Sequence, residues 1–205
     1  MSSIKLTADS GGGTFEIKAP SSSGNTRVLT IPDETATLLT SATSTGKILQ
    51  VKSVTKSDTF SSTGTTSFVD VTGLSVDITP ASASNKILVL YDLNWGSTGG
   101  HFSCRMLRDG VSIKVGDTAG SNRPRGTGQH YFVDTVAIKY AIVQQAGTFL
   151  DSPSTTSSVT YKWQVGAPTS SGYTIYVNRQ GAEDNGDQTY NGRTASSVTV
   201  IEIAA

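Results

Sequence analysis

Cysteine occurs once in these 205 residues, as Cys104, so no intrachain disulfide can staple the chain. Charge is scarce as well. Only 16% of residues are Asp, Glu, Lys or Arg, and the formal net charge is +0, whereas an ordinary soluble domain carries about 25% charged residues. Such a chain lacks the basic stripe that tracks a phosphate backbone, which argues against a nucleic-acid binder. No run of about 18 apolar residues occurs, so no membrane insertion is expected. The start Met1-Ser2-Ser3-Ile4-Lys5 has no apolar stretch of the signal-peptide kind, and synthesis in a cytoplasm is the expectation.

Helical patterning is missing too. No window of about a dozen residues carries an apolar stripe of period 3.6 between caps. The catalytic and cofactor signatures are likewise absent: there is no GxSxG, no P-loop, no HExxH and no paired-cysteine motif. The reading is therefore of a non-enzyme with no cofactor and no metal. His101 and His130 stand in no metal spacing. Cys104 lies between Phe102 and Met106 on an alternating run, where a thiol acts as a small buried hydrophobe.

What is abundant is serine, threonine and glycine. Serine and threonine together make up roughly a quarter of the chain, well above ordinary usage. Threonine favours strands because its branched Cβ packs on a pleated surface, and serine and glycine favour turns. The pattern is all-β. In residues 1–45, Ile4 and Leu6, then Phe15 and Ile17, then Leu29 and Ile31 alternate with polar residues between glycine and serine breaks. That is the strand signal. A lone hairpin is marginal in water, so this N-terminal β arm is expected to complete its interior on identical copies. Ile4, Leu6, Phe15, Ile17, Leu29 and Ile31 are the candidate trimer and docking residues.

Residues 46–205 read as a denser β-sandwich, jelly-roll-like, with a turn signal every ten or so residues. Strands are expected over 48–54, 68–71, 74–78, 86–95, 102–108, 111–115, 131–143, 149–150, 159–165, 173–177 and 198–203. The run 86–95 places Ile87, Val89, Tyr91, Leu93 and Trp95 on one face and Leu88 and Leu90 on the other, so its first half should be covered on both sides. Asp109-Gly110 is the best short hairpin signal. The terminal strand should be central in a sheet or lie at a subunit contact.

Candidate binding residues sit in loops. Arg123 and Arg125 form the one basic loop, able to pair with phosphates or acidic sugars because a guanidinium meets such groups with two hydrogen bonds. Asp184 and Asp187 belong to an acidic loop that offers oxygen ligands but does not follow the twelve-residue calcium pattern. Tyr190 is the aromatic best placed for exposure, whereas Trp95, Trp163, Tyr161, Tyr173 and Tyr176 read as core or interface. Residues 96–100, 121–128 and 181–192 are the expected exposed loops.

Several of these stretches resemble bacteriophage tail fibres and related virion appendage proteins. Gly13-Thr14-Phe15-Glu16-Ile17-Lys18-Ala19-Pro20-Ser21, followed by Val28-Leu29-Thr30-Ile31-Pro32-Asp33, resembles a strand-turn-strand element common in them. Ile48-Leu49-Gln50-Val51, residues 66–71, 73–76 and 78–89, and the closing run 197–203 are similar to distal modules of marine phage structural proteins. The resemblance implies a homotrimer on a virion, with a head similar to those of tumour necrosis factor and C1q. It also implies partners among the tail or capsid proteins and contact with a host cell-surface glycan. Long tail fibres have a far longer shaft, so the expectation is a short trimeric fibre or spike. A capsid cement or head-decoration protein is the alternative, and a carbohydrate-active enzyme a distant third.

Overall fold

The computed structural model describes residues 3–7, 11, 14–18, 24, 47–64, 67–118, 120, 122–133, 139–166, 172–182 and 187–205. The chain divides into two compact units, Met1–Thr43 and Ser44–Ala205. In the first, β1 (Ser3–Thr7) pairs antiparallel with β2 (Thr14–Lys18). The register sets Ile4 opposite Ile17 and Leu6 opposite Phe15, so these four positions fall on one face of the ribbon. Leu29 and Ile31 lie outside the described residues.

The second unit is a sandwich of two antiparallel sheets. Its strands are β3 (Ile48–Lys56), β4 (Phe60–Thr63), β5 (Val69–Ile78), β6 (Lys86–Ser97), β7 (Gly100–Arg108), β8 (Val111–Ile113), β9 (Gly128–Phe132), β10 (Val143–Asp151), β11 (Val159–Gly166), β12 (Thr174–Val177) and β13 (Ser196–Ile203). One sheet runs β3-β13-β6-β12-β4, with β10 on the other edge of β6. The second runs β5-β11-β7-β8, with β9 beside β8 on β7. Strands consecutive in the chain, β5, β6 and β7, then β10 and β11, cross between layers, which is the jelly-roll arrangement. β13 lies between β3 and β6, inside its sheet.

Alternation builds the core directly. Ile87, Val89, Tyr91, Leu93 and Trp95 of β6 meet Tyr161, Trp163 and Val165 of β11, and all are buried. Tyr91 stands edge-on to Trp163 at 5.2 Å, and Trp95 to Phe132 at 5.6 Å. Each such pair adds about 0.5–1.5 kcal/mol beyond the area it buries. Cys104 is fully buried within this core, as its apolar neighbours imply, and burial pushes its thiol up to about 12. Asp109 and Gly110, with φ of 48° and 80°, make the tight turn between β7 and β8.

Three expected elements come out differently. The runs 68–71 and 74–78 are one strand, β5. Opposite Lys162 and Gln164 the register jumps from Ser75 to Asp70, a bulge whose Gly73 has φ of 79°. The bulge leaves both Thr72 and Gly73 exposed and returns Val71 and Leu74 to the core, which looks like a break when period two is applied strictly. The expected long strand 131–143 does not form. β9 ends at Phe132 and β10 begins at Val143, because Phe132 caps the core against Trp95 and the chain must cross to the other sheet. Residues 96–100 are not an exposed loop. Gly96, Ser97, Gly99 and Gly100 are buried, and the single Ser97 Oγ proton is shared between the carbonyls of Gly99 (2.8 Å) and Thr174 (2.9 Å).

Candidate assembly face and binding clefts

The outward surfaces of the two sheets differ in chemistry. On the β5-β11-β7 sheet the outward side chains form a charged and amide network. Lys162 Nζ and Gln164 Nε2 donate to Asp70 at 2.6 and 2.7 Å, Arg105 Nε donates to Gln164 at 2.8 Å, and Thr160 Oγ1 donates to Asp77 at 2.6 Å. Lys162 holds the Asp70 carboxyl below its ordinary range, with Gln164 assisting. Water suits this face.

The outward face of β3-β13-β6-β10 is built otherwise. The registers align Val51, Ile201, Leu88 and Leu150 in a row across all four strands. Val51 is 55% exposed and Leu150 56%, while Ile201 and Leu88 are half-buried. The adjacent row is Ile48, 64% exposed, Ile203 and Lys86, two more apolar side chains with one charge on β6. The next row is Ser53, Thr199, Leu90 and Thr148, in which Ser53 and Thr199 share a hydrogen bond of 2.8 Å. Leu88 and Leu90, expected to be covered on both sides, are half-buried on a face that no described strand of the sandwich covers. An apolar row of this length is the kind of surface that marks an interaction site.

The sequence-predicted Arg123 and Arg125 come together. They line one cleft of about 400 Å³ with Asp117, Gln129, Gly116 and Gly126. The loop base is cinched: Arg125 Nε donates to Gly116 O at 2.7 Å, Gly116 N to Gly126 O at 3.3 Å, and Thr127 N to Cys104 O at 2.8 Å. Among the described residues no ion pair involves Arg123, Arg125 or Asp117.

Tyr190 is exposed, as its loop position predicts, and Tyr140 stands edge-on to it at 5.4 Å. The two rings line an apolar cleft of about 280 Å³. A phenol platform of this kind can stack against the flatter, carbon-bearing face of a sugar ring while its hydroxyl stays in water. The sequence reading missed Tyr140 because it placed that residue in a strand; two tyrosines 50 positions apart carry no local signal of pairing. Trp95, Trp163 and Tyr161 are core, and Tyr176 lies under the Arg179 guanidinium at 4.3 Å. Asp187 is exposed, and Asp184 lies outside the described residues. His101 stacks on Tyr131 at 4.2 Å. No group of three or more metal-ligating side chains occurs among the described residues, and no helix among them is long and apolar enough to cross a membrane.

No protein-family model matches this chain, and no curated protein matches it in sequence. Among solved structures it is similar to that of infectious bursal disease virus, Gt strain, at 12% identity and a TM-score of 0.36, over 98% of this chain and 45% of the other. The Gx strain of the same virus gives 14% identity and a TM-score of 0.35, over 98% and 47%. The chain spans less than half the length of either. A superposition this loose carries no argument about role, which rests on the residues themselves.

Proposed function

We propose that this chain is a virion structural protein: a short trimeric fibre or spike of bacteriophage type, whose sandwich is the head that meets a host surface and whose arm binds its own copies or the particle. The observation that carries the proposal is the contrast between the two outward sheet faces. One is finished for water by Asp70, Lys162, Gln164 and Arg105, and the other leaves Val51, Ile201, Leu88 and Leu150 in a bare row. Interface cores are depleted in charge in just this way. The occupant that fits is another copy of the chain. Neither the Val51-Ile201-Leu88-Leu150 row nor the Ser53-Thr199-Leu90-Thr148 row carries a charged side chain, so two copies meet across them without like-charge repulsion. The hydroxyls of Ser53, Thr199 and Thr148 supply hydrogen bonds at the margin. The reading assigns the protein no reaction. Its partners are two identical chains, a tail or capsid protein and a host glycan, and its place is the virion after synthesis in the host cytoplasm.

Sedimentation velocity on the purified protein tests the assembly, with a trimer expected. A stable monomer at micromolar concentration would overturn it. Gold labelling of intact particles tests the location: label on the tail supports the fibre, whereas label across the shell replaces it with the cement protein.

A further inference from the structure

The Arg123–Arg125 cleft is a built site rather than a patch of loose side chains. Its base is tied to β7 through Thr127 N and Cys104 O, and through Thr127 Oγ1, which accepts from Met106 N at 3.0 Å. The Arg125 guanidinium is oriented by its Nε bond to Gly116 O, which leaves both of its terminal nitrogens free to donate. Arg123 lines the same cleft and is not ion-paired. Two arginines lining one concavity call for an anion with paired acceptor oxygens, because the planar guanidinium fork matches a carboxylate or phosphate. Asp117 in the same lining narrows the choice. A phosphate dianion would be repelled by its carboxylate, whereas a monoanion with hydroxyl donors would find in Asp117 an acceptor for a hydroxyl and in Gln129 a second polar partner. The volume, about 400 Å³, is at the small end of ligand pockets, suited to a single small polar unit.

We infer that this cleft binds a carboxylate-bearing sugar, a uronic acid or similar acidic unit of an extracellular polysaccharide. The inference rests on the reading of the head as the surface that meets a host. Binding of one unit is weak, on the order of a millimolar Kd. Useful attachment comes from several heads engaging repeated units along one polymer, so that the second contact is intramolecular.

The experiment is an NMR titration of the full chain with glucuronate, glucose and glucose 6-phosphate. Glucuronate is expected to bind at millimolar concentration and to perturb the residue 116–129 region, with glucose at least about tenfold weaker. Arg123→Ala/Arg125→Ala should lose at least about tenfold for glucuronate at a nearly unchanged melting temperature, since both side chains are exposed and the Arg125 Nε bond to Gly116 O is the one protein bond lost, while the Gly116 N and Thr127 ties remain. Asp117→Asn should admit glucose 6-phosphate, which the unaltered chain disfavours. Equal binding of glucose and glucuronate, or a double variant that binds glucuronate as well as the parent, overturns the site. Particle labelling separates the two claims. A chain that discriminates glucuronate yet is absent from particles keeps the site and sinks the virion reading, and the reverse result does the opposite.

Discussion

Arg108 Nη1 donates to both carboxylate oxygens of Asp151, at 2.8 and 2.9 Å, and so joins β7 of one sheet to β10 of the other. Tyr161, fully buried on β11, adds its hydroxyl to Asp151 Oδ2 at 2.7 Å. Burial and that bond both raise the Tyr161 phenol far above its ordinary range, so it stays a donor through alkaline pH. Asp151→Ala would strand a buried hydroxyl and a partly buried guanidinium at once. The expected loss is about 2–3 kcal/mol, read from the urea midpoint. Thr72→Ala, at an exposed position on the opposite sheet edge, should stay within about 0.5 kcal/mol. A loss below about 1 kcal/mol for Asp151→Ala would mean the staple contributes little beyond an exposed pair.

Acid should undo a second tie. Glu202 on β13 is fully buried and accepts from Asn85 Nδ2 at 2.6 Å, Gln50 Nε2 at 2.6 Å and Ala81 N at 2.7 Å. Burial alone would raise its pKa, but these donors and the Ser82 amide together hold it below the ordinary value. A carboxylate lowered in the folded state contributes stability that is complete above its unfolded pKa, about 4.3, and is lost as pH falls through the lower folded value. Denaturant midpoints measured from pH 7 downward should therefore fall once pH drops below about 5. Glu202→Gln should cost about 1–3 kcal/mol at neutral pH and flatten that acid limb. A variant whose acid limb matches the parent would place the sensitivity elsewhere, with exposed Asp70 and Asp58 the next carboxylates whose pKa is lowered.

Much of this fold is legible because period two is a local signal. Ile87 to Trp95 and Val198 to Ile203 declare strand, face and burial in the chain itself, and Asp109-Gly110 declares its turn. The β5 bulge shifts the alternation by one residue, so the same strand reads as two. The Phe132 to Val143 stretch keeps β-branched residues in alternation on both sides of a crossover, which propensity cannot distinguish from one long strand. Of the candidate sites, Arg123 and Arg125 were visible because they are close in sequence. The Val51-Ile201-Leu88-Leu150 row was not, since it exists only once four strands from distant parts of the chain are placed in register. β4 was missed because Phe60-Ser61-Ser62-Thr63 offers a single large apolar side chain.

That row makes the sharpest assembly prediction. Leu150 is on the edge strand β10, its side chain is exposed, and a lysine there removes nothing from the core. Leu150→Lys should weaken self-association at least tenfold, about 1.4 kcal/mol or more, while circular dichroism and melting of the dilute protein stay as in the parent. Thr72→Lys on the polar sheet is the matched control and should assemble normally. Sedimentation velocity across a concentration series reads both. Unchanged association in Leu150→Lys would move the contact away from this face.

Asn178 offers the last test, at a position whose backbone and side chain make separable demands. It follows β12 with φ of 64°, a conformation that asparagine tolerates better than most residues. Its side chain is fully buried and saturated: Nδ2 donates to the carbonyls of Lys56 (2.8 Å) and Asp58 (2.9 Å), and Oδ1 accepts from Ser196 Oγ at 2.6 Å. One amide thus locks the end of β3, the start of β13 and the exit of β12. Asn178→Gly relieves the backbone but empties the node, and should cost about 2–3 kcal/mol for the unpaired carbonyls and hydroxyl. Asn178→Ala suffers the same loss and adds a left-handed residue without a side-chain donor, about 1 kcal/mol more. Asn178→Asp keeps the backbone preference and the bond from Ser196, but it turns an oxygen toward two carbonyls, and should be at least as damaging as alanine at pH 7. Urea midpoints for the three variants give the order directly. Glycine equal to the parent would show that the backbone conformation, and not the three-way amide, is what this position contributes.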